Sequence, residues 1–92
     1  MAGVRLLIQF TADSAEEADK LVEAAVGRAR IAQGHDGCLQ FEIFRSAMNP
    51  EKYALIEHWQ SEDALAAHSK AMPPGTPASV RRTREKYEYQ GA

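Results

Sequence analysis

A single cysteine, Cys38, leaves no partner for an internal disulfide, which points to a reducing, cytoplasmic setting. Three scattered histidines, His35, His58 and His68, offer no pair at the i,i+3 or i,i+4 spacing of a metal site, so no metal is expected. Positive charge is not in excess: 11 Lys and Arg against 13 Asp and Glu give a formal charge of −2, without the basic footprint of a nucleic-acid binder. The local run Arg81, Arg82, Arg84 and Lys86 is diluted by Glu85 and Glu88 and reads as a solvated strand face. No apolar run is long enough to span a bilayer. The opening MAGVRLLIQF lacks a basic leader and a small-residue cleavage site, so it reads as a strand, not a signal peptide. Neither a Gly-x-Gly-x-x-Gly or phosphate loop nor a Gly-x-Ser-x-Gly elbow occurs, which leaves nucleotide cofactors and serine-hydrolase chemistry unsupported. No linker, repeat or low-complexity tract divides the chain. Residues 1–92 are read as one small domain, burying about 60–65% of its extended-chain surface.

What is present centres on Tyr53 to His68, YALIEHWQSEDALAAH. Tyr53, Leu55, Glu57 and Trp59 share one face of a strand, and Ala54, Ile56 and His58 the other. Ser61 is a good helix N-cap, and Glu62 and Asp63 stand where the helix dipole favours negative charge. Ala64, Leu65, His68 and Met72 then follow the spacing of one buried helical stripe, which aims His68 inward. Trp59 ends the strand just before that helix, so indole and imidazole are expected to line one cavity.

Elsewhere, Val4, Leu6, Ile8 and Phe10 alternate with Arg5, Leu7 and Gln9 in a first strand covered on both faces. Ser14 to Glu17 is a capping box opening a helix whose stripe is Ala18, Leu21, Val22, Ala25, Val26 and Ala29. That helix is expected to stop at a left-handed Gly34. Gly34 to Gly37 is a turn, with His35 solvated in it, and Cys38 to Arg45 is the next strand. Ala47 to Glu51, with its Asn-Pro pair, is a hairpin connection. Met72 to Pro77 is a stiff proline-rich loop. Val80 to Tyr89 reads as a final edge-like strand, with a helical turn over Ser79 to Arg84 as the alternative. The order β-α-β-β-α-β is the α+β, ferredoxin-like split βαβ plan: a four-stranded antiparallel sheet with helices on one face. One small chain has nothing left to cover the second sheet face, so a face-to-face homodimer is expected, with His58 at its interface.

Three stretches carry a resemblance. Gly34-His35-Asp36-Gly37-Cys38-Leu39, Asn49-Pro50-Glu51-Lys52-Tyr53 and, above all, Ile56 to His68 resemble the antibiotic biosynthesis monooxygenase family of dimeric α+β barrels, the last matching its E-x-W-x-S-x-x-A-L-x-x-H pattern. The resemblance runs over about residues 4 to 72. It departs at Ser69 to Pro77, which lacks the second histidine of many relatives. The places used by haem-degrading members fall on Leu7, His68 and Ala78 and all differ, so haem breakdown is disfavoured. Of the tryptophan, asparagine and tyrosine implicated in members that oxidise anthrones or quinols, only the tryptophan is matched, by Trp59; the other two places fall on Leu55 and Leu65.

The resemblance implies a monooxygenase that needs neither metal nor flavin, taking dioxygen and a small hydrophobic or aromatic substrate. Such chemistry requires a dry pocket, a base and donors for a developing oxyanion. His68 suits the base, since an ordinary imidazole titrates near ~6.5. Trp59 suits an aromatic platform. Tyr53, Leu55, Glu57, Leu65, Met72 and Leu7 complete the expected substrate-binding set. Against these stand structural readings: His68 as a hydrogen-bonded core histidine, Trp59 as core packing, Glu57 as a partner for a basic group, Tyr53 as a cross-strand packing residue, and Cys38 as a small buried residue. At the level of function, a non-catalytic dimeric module for a hydrophobic metabolite and a non-oxidative isomerase-type enzyme are the alternatives.

Overall fold

Two serines start the helices. Ser14 Oγ accepts from the Glu17 amide at 3.0 Å and Ser61 Oγ from the Ala64 amide at 3.1 Å, each satisfying one free N–H of a first turn. Glu17 reaches back to the Asp13 amide at 3.3 Å, one residue earlier than the reciprocal bond of a capping box. In the computed structural model, which describes residues 2–73, 75 and 80–90, these caps open α1 (Ala15–Ala32) and α2 (Glu62–Ala71). The strands are β1 (Ala2–Thr11), β2 (Cys38–Arg45), β3 (Lys52–Trp59) and β4 (Arg81–Gln90). Strand order is β2-β3-β1-β4, every neighbouring pair antiparallel. This is the ferredoxin-like α+β arrangement, both helices lying on one face. Arg81–Gln90 is strand, so the helical alternative is not realised from Arg81 to Arg84. Ser79 and, in the proline-rich run, Pro74, Thr76 and Pro77 lie outside the described residues.

Register explains the core. The central pair sets Val4 against Trp59, Leu6 against Glu57, Ile8 against Leu55 and Phe10 against Tyr53, all on the helix side. One buried group joins Val4, Leu6, Phe41, Trp59 and Leu65 to Ala29 and Ala32 of α1. A second joins Phe10, Tyr53, Ala18 and Val80, with the Phe10 and Tyr53 rings stacked at 4.8 Å. Of the stripe expected on α1, only Ala18 and Ala29 are buried, together with Ala32. Leu21, Val22, Ala25 and Val26 are half-buried, because the middle of α1 bridges a hollow and does not rest on the sheet.

The α1 terminus departs from expectation. The helix ends at Ala32, its C-cap Gln33 is right-handed, and Gly37 is the described glycine with positive φ (80°). The reason is tertiary. Gly37 lies against the start of α2, where its carbonyl accepts from the Gln60 amide at 2.8 Å. A Cβ on Gly37 would fall 2.5 Å from Ala64 Cβ, so the left-handed, side-chain-free residue is needed here and not at Gly34.

β4 is exposed along its whole length. On the sheet face away from the helices, Leu7, Ala54 and Ile56 are half-buried, while Phe44 and Tyr87 remain 44% and 54% exposed. His58 shares that face, hydrogen-bonded to the Tyr89 hydroxyl.

Candidate functional site

Between the helix layer and the sheet lies a cavity of about 400 Å³, a volume that holds a small organic molecule. Leu6, Ile8, Phe10, Phe41, Ile43 and Leu55 give it an apolar floor; Leu21, Ala25, Leu65 and Met72 of the helical layer close over it. Its polar wall consists of Tyr53, Glu57, His68, Ser69, Arg28, Arg82 and Arg84.

His68 is placed by two devices: the Ser61 cap, which fixes the start of α2, and the buried stripe it shares with Leu65. Its ring stands edge-on to Phe41 at 5.4 Å and tilted against Trp59 at 4.6 Å. Nδ1 lies 2.9 Å from Nδ1 of His35. His35 is thus half-buried and bonded, not solvated: the turn pinned by Gly37 carries it over α2. Burial, then the charges of His35 and Arg28, push the His68 pKa down, so this imidazole is neutral at neutral pH. No side-chain nitrogen or oxygen among the described residues is buried without a partner. Among the described residues Nε2 of His68 meets no hydrogen-bond partner, so it is not a buried atom. With a proton on Nδ1 donated to His35, Nε2 is a free lone pair.

Glu57 is a second titratable group on the cavity wall. Burial pushes its carboxyl pKa up; the bond from Trp59 and the charge of Arg84 offset part of that rise. Trp59 Nε1 donates to Glu57 Oε1 at 2.9 Å.

Of the residues expected at the site, His68, Tyr53, Leu55, Glu57, Leu65 and Met72 meet around the cavity. Trp59 does not: its side chain is 0% exposed and lies behind the wall, with His68 and Glu57 between it and the space. Leu7 does not either, because strand alternation turns it to the opposite sheet face. Sequence reasoning missed His35, Arg28, Phe41, Arg82 and Arg84. No local periodicity reveals a His35–His68 contact 33 residues apart. Arg82 and Arg84 alternate in phase, but only the register against Phe10 and Ile8, both core-facing, shows which way they turn. Cys38 is half-buried with its thiol pKa raised, first by burial and then by Glu57, the opposite of an activated nucleophile.

Residues 3–74 match the family model described as antibiotic biosynthesis monooxygenase. The chain belongs to this family. No curated protein matches it by sequence. Among solved structures it is similar to a conserved protein of unknown function from Bacteroides thetaiotaomicron, with TM-score 0.81, 22% identity, and 96% and 98% of the two chains covered. A Deinococcus radiodurans protein named for the same family aligns with TM-score 0.75 and 26% identity over 97% and 92% of the chains. SnoaB from Streptomyces nogalater, described as a cofactor-independent oxygenase and solved as a single-residue variant, aligns with TM-score 0.67 and 17% identity over 98% and 95%. The family match supports a general monooxygenase role, and the likeness to SnoaB shows the fold alone. Among the described residues no three His, Cys, Asp or Glu side chains are grouped to hold a metal, and no helix is long and apolar enough to cross a membrane.

Proposed function

We propose that this antibiotic biosynthesis monooxygenase family member oxidises a small aromatic substrate of quinol or anthrone type with dioxygen, without a bound cofactor. The observation that carries this reading is an imidazole, neutral at neutral pH, on the polar wall of a cavity whose floor is apolar. Nε2 takes a proton from the substrate hydroxyl or activated methylene, and the electron-rich anion passes one electron to dioxygen. The substrate radical and superoxide then combine in a carbon–oxygen bond, giving a peroxide that takes up a proton. Loss of water breaks the oxygen–oxygen bond and a carbon–hydrogen bond, leaving a carbonyl. One dioxygen is consumed, one oxygen atom staying in the product and one leaving as water. Glu57, protonated over a wider pH range than an ordinary glutamate, is the natural donor to the peroxide.

Oxygen uptake with a panel of hydroquinones and anthrones tests the reading, and one equivalent of dioxygen per carbonyl formed is the expected result. Tight ligand binding without product would replace it with a binding module. Turnover under anaerobic conditions would replace it with an isomerase-type enzyme.

The working unit in this proposal is a face-to-face homodimer, because Leu7, Ile56, Phe44 and Tyr87 lie together on the sheet face that no helix covers. Sedimentation equilibrium is expected to give twice the chain mass. Leu7→Glu, which buries an unpaired carboxylate on that face, should weaken the dimer at least about 100-fold. A wild-type monomer at micromolar concentration would exclude this assembly.

A further inference from the structure

We infer that the molecule taken by this cavity carries an oxyanion, a carboxylate or a phosphate, on its aromatic body, and that Arg28, Arg82 and Arg84 receive it; this deepens the monooxygenase reading and rests on it. Three arginines line one cavity in a chain whose formal charge is −2, so their meeting there does not follow from a general excess of cations. Register aims them: Arg82 pairs with Phe10 and Arg84 with Ile8 on the helix side of the sheet, whereas Arg81 pairs with Thr11 and faces away.

The neighbouring charges sharpen the contrast. Lys86, next in phase along the same strand face, is held by Glu62 at 2.5 Å and Glu88 at 3.5 Å, and Arg45 by Asp19 at 2.8 Å. Among the described residues no salt bridge holds Arg28, Arg82 or Arg84; the charge of Arg84 reaches Glu57 and Glu62 only at a distance. Among the described residues Glu57 is the one carboxyl lining the cavity, and one of its oxygens is engaged by Trp59. Arg28 is oriented by donating from one terminal nitrogen to the Pro73 carbonyl. Gly75 crosses close over that guanidinium, where an added Cβ would lie 2.8 Å from Cζ. Like charges brought together beside apolar walls repel, and an anion among them reverses that term. The planar fork of arginine suits the paired oxygens of a carboxylate or phosphate. An apolar floor with a cationic wall therefore selects a two-ended ligand, aromatic at one end and anionic at the other.

Three probes of similar shape test this: naphthol, a hydroxynaphthoate and naphthyl phosphate, titrated by calorimetry and by quenching of the single tryptophan. At low salt at least one acidic probe should bind about tenfold or more tightly than naphthol, the preference shrinking as salt rises. Whichever of the two binds tighter identifies the headgroup. Arg82→Gln with Arg84→Gln should collapse the preference, while Arg84→Lys, charged but without the fork, should keep part of it; circular dichroism confirms that each variant is folded. Equal binding of all three probes, a preference untouched by the double variant, or loss of the dimer in that variant would overturn the inference. Oxygen uptake by the wild-type protein without preference for an acidic aromatic removes the inference alone. A clear preference with no uptake by any substrate supports it and removes the oxygenase reading.

Discussion

Replacing His68 by alanine should lower kcat for oxygenation of a responsive hydroquinone or anthrone by about 10²–10⁴-fold, the usual contribution of a positioned general base. The pH profile distinguishes a base from a merely structural histidine. The base works only when deprotonated, and its pKa is lowered by burial, His35 and Arg28. The rising limb of kcat/KM should therefore lie below the ordinary histidine value of about 6.5, with a plateau through neutrality. His35→Ala removes the acceptor that holds the Nδ1 proton and one cause of the lowered pKa. Its limb should move to higher pH and kcat should fall by less than in His68→Ala. The same shift sets a sign for stability. Because the folded pKa is depressed, the contribution of His68 is fully present above about 6.5 and is lost as pH falls through the folded value, where the unfolded chain binds a proton that the folded one resists. Unchanged turnover in His68→Ala on an oxygen electrode would remove the imidazole from the mechanism.

The fold and half of this site are legible from local rules, and the other half is not. Alternation in β1 and β3 puts Leu6, Leu55 and Glu57 on one face, and helical spacing from the Ser61 cap puts Leu65 and His68 opposite them; each inference needs only a period and a start signal. Whatever depends on two distant segments meeting is invisible to that reasoning. Gly34 resembles a helix stop, yet the left-handed residue is Gly37, because a contact with Ala64 decides it. His35 reads as solvent-facing in its turn, and becomes the partner of His68 only once α2 lies beneath it. Arg82 and Arg84 sit in a strand with no apolar alternation, so nothing marks which face matters until β4 is registered against β1. Trp59 is the reverse case. The sequence brings it near His68 correctly, but cannot say that it stands behind the cavity wall and not on it.

That placement predicts the largest stability effect. Trp59→Ala should cost about 3–5 kcal/mol, a large share of the roughly 5–15 kcal/mol expected for a domain. The indole is fully buried, packs edge-on to Phe41 at 6.4 Å, and supplies the hydrogen bond that Glu57 accepts. Trp59→Phe separates the two contributions. It keeps most of the packing but leaves a buried carboxyl without its donor, at a cost of about 1–3 kcal/mol. That cost should depend on pH with a definite sign. The Glu57 pKa is already raised in the folded state, and the Trp59 bond is among the terms holding it down, so the variant raises it further. A raised carboxyl pKa gives stability that is intact below the unfolded value and lost as pH rises through the folded one. The penalty of Trp59→Phe should therefore grow with pH across that window, and urea denaturation followed by circular dichroism at a series of pH values measures it. In a Glu57→Gln background, which keeps an acceptor but cannot ionise, the pH dependence should vanish. A penalty equal at every pH would mean that the indole acts by packing alone and does not hold the Glu57 pKa down.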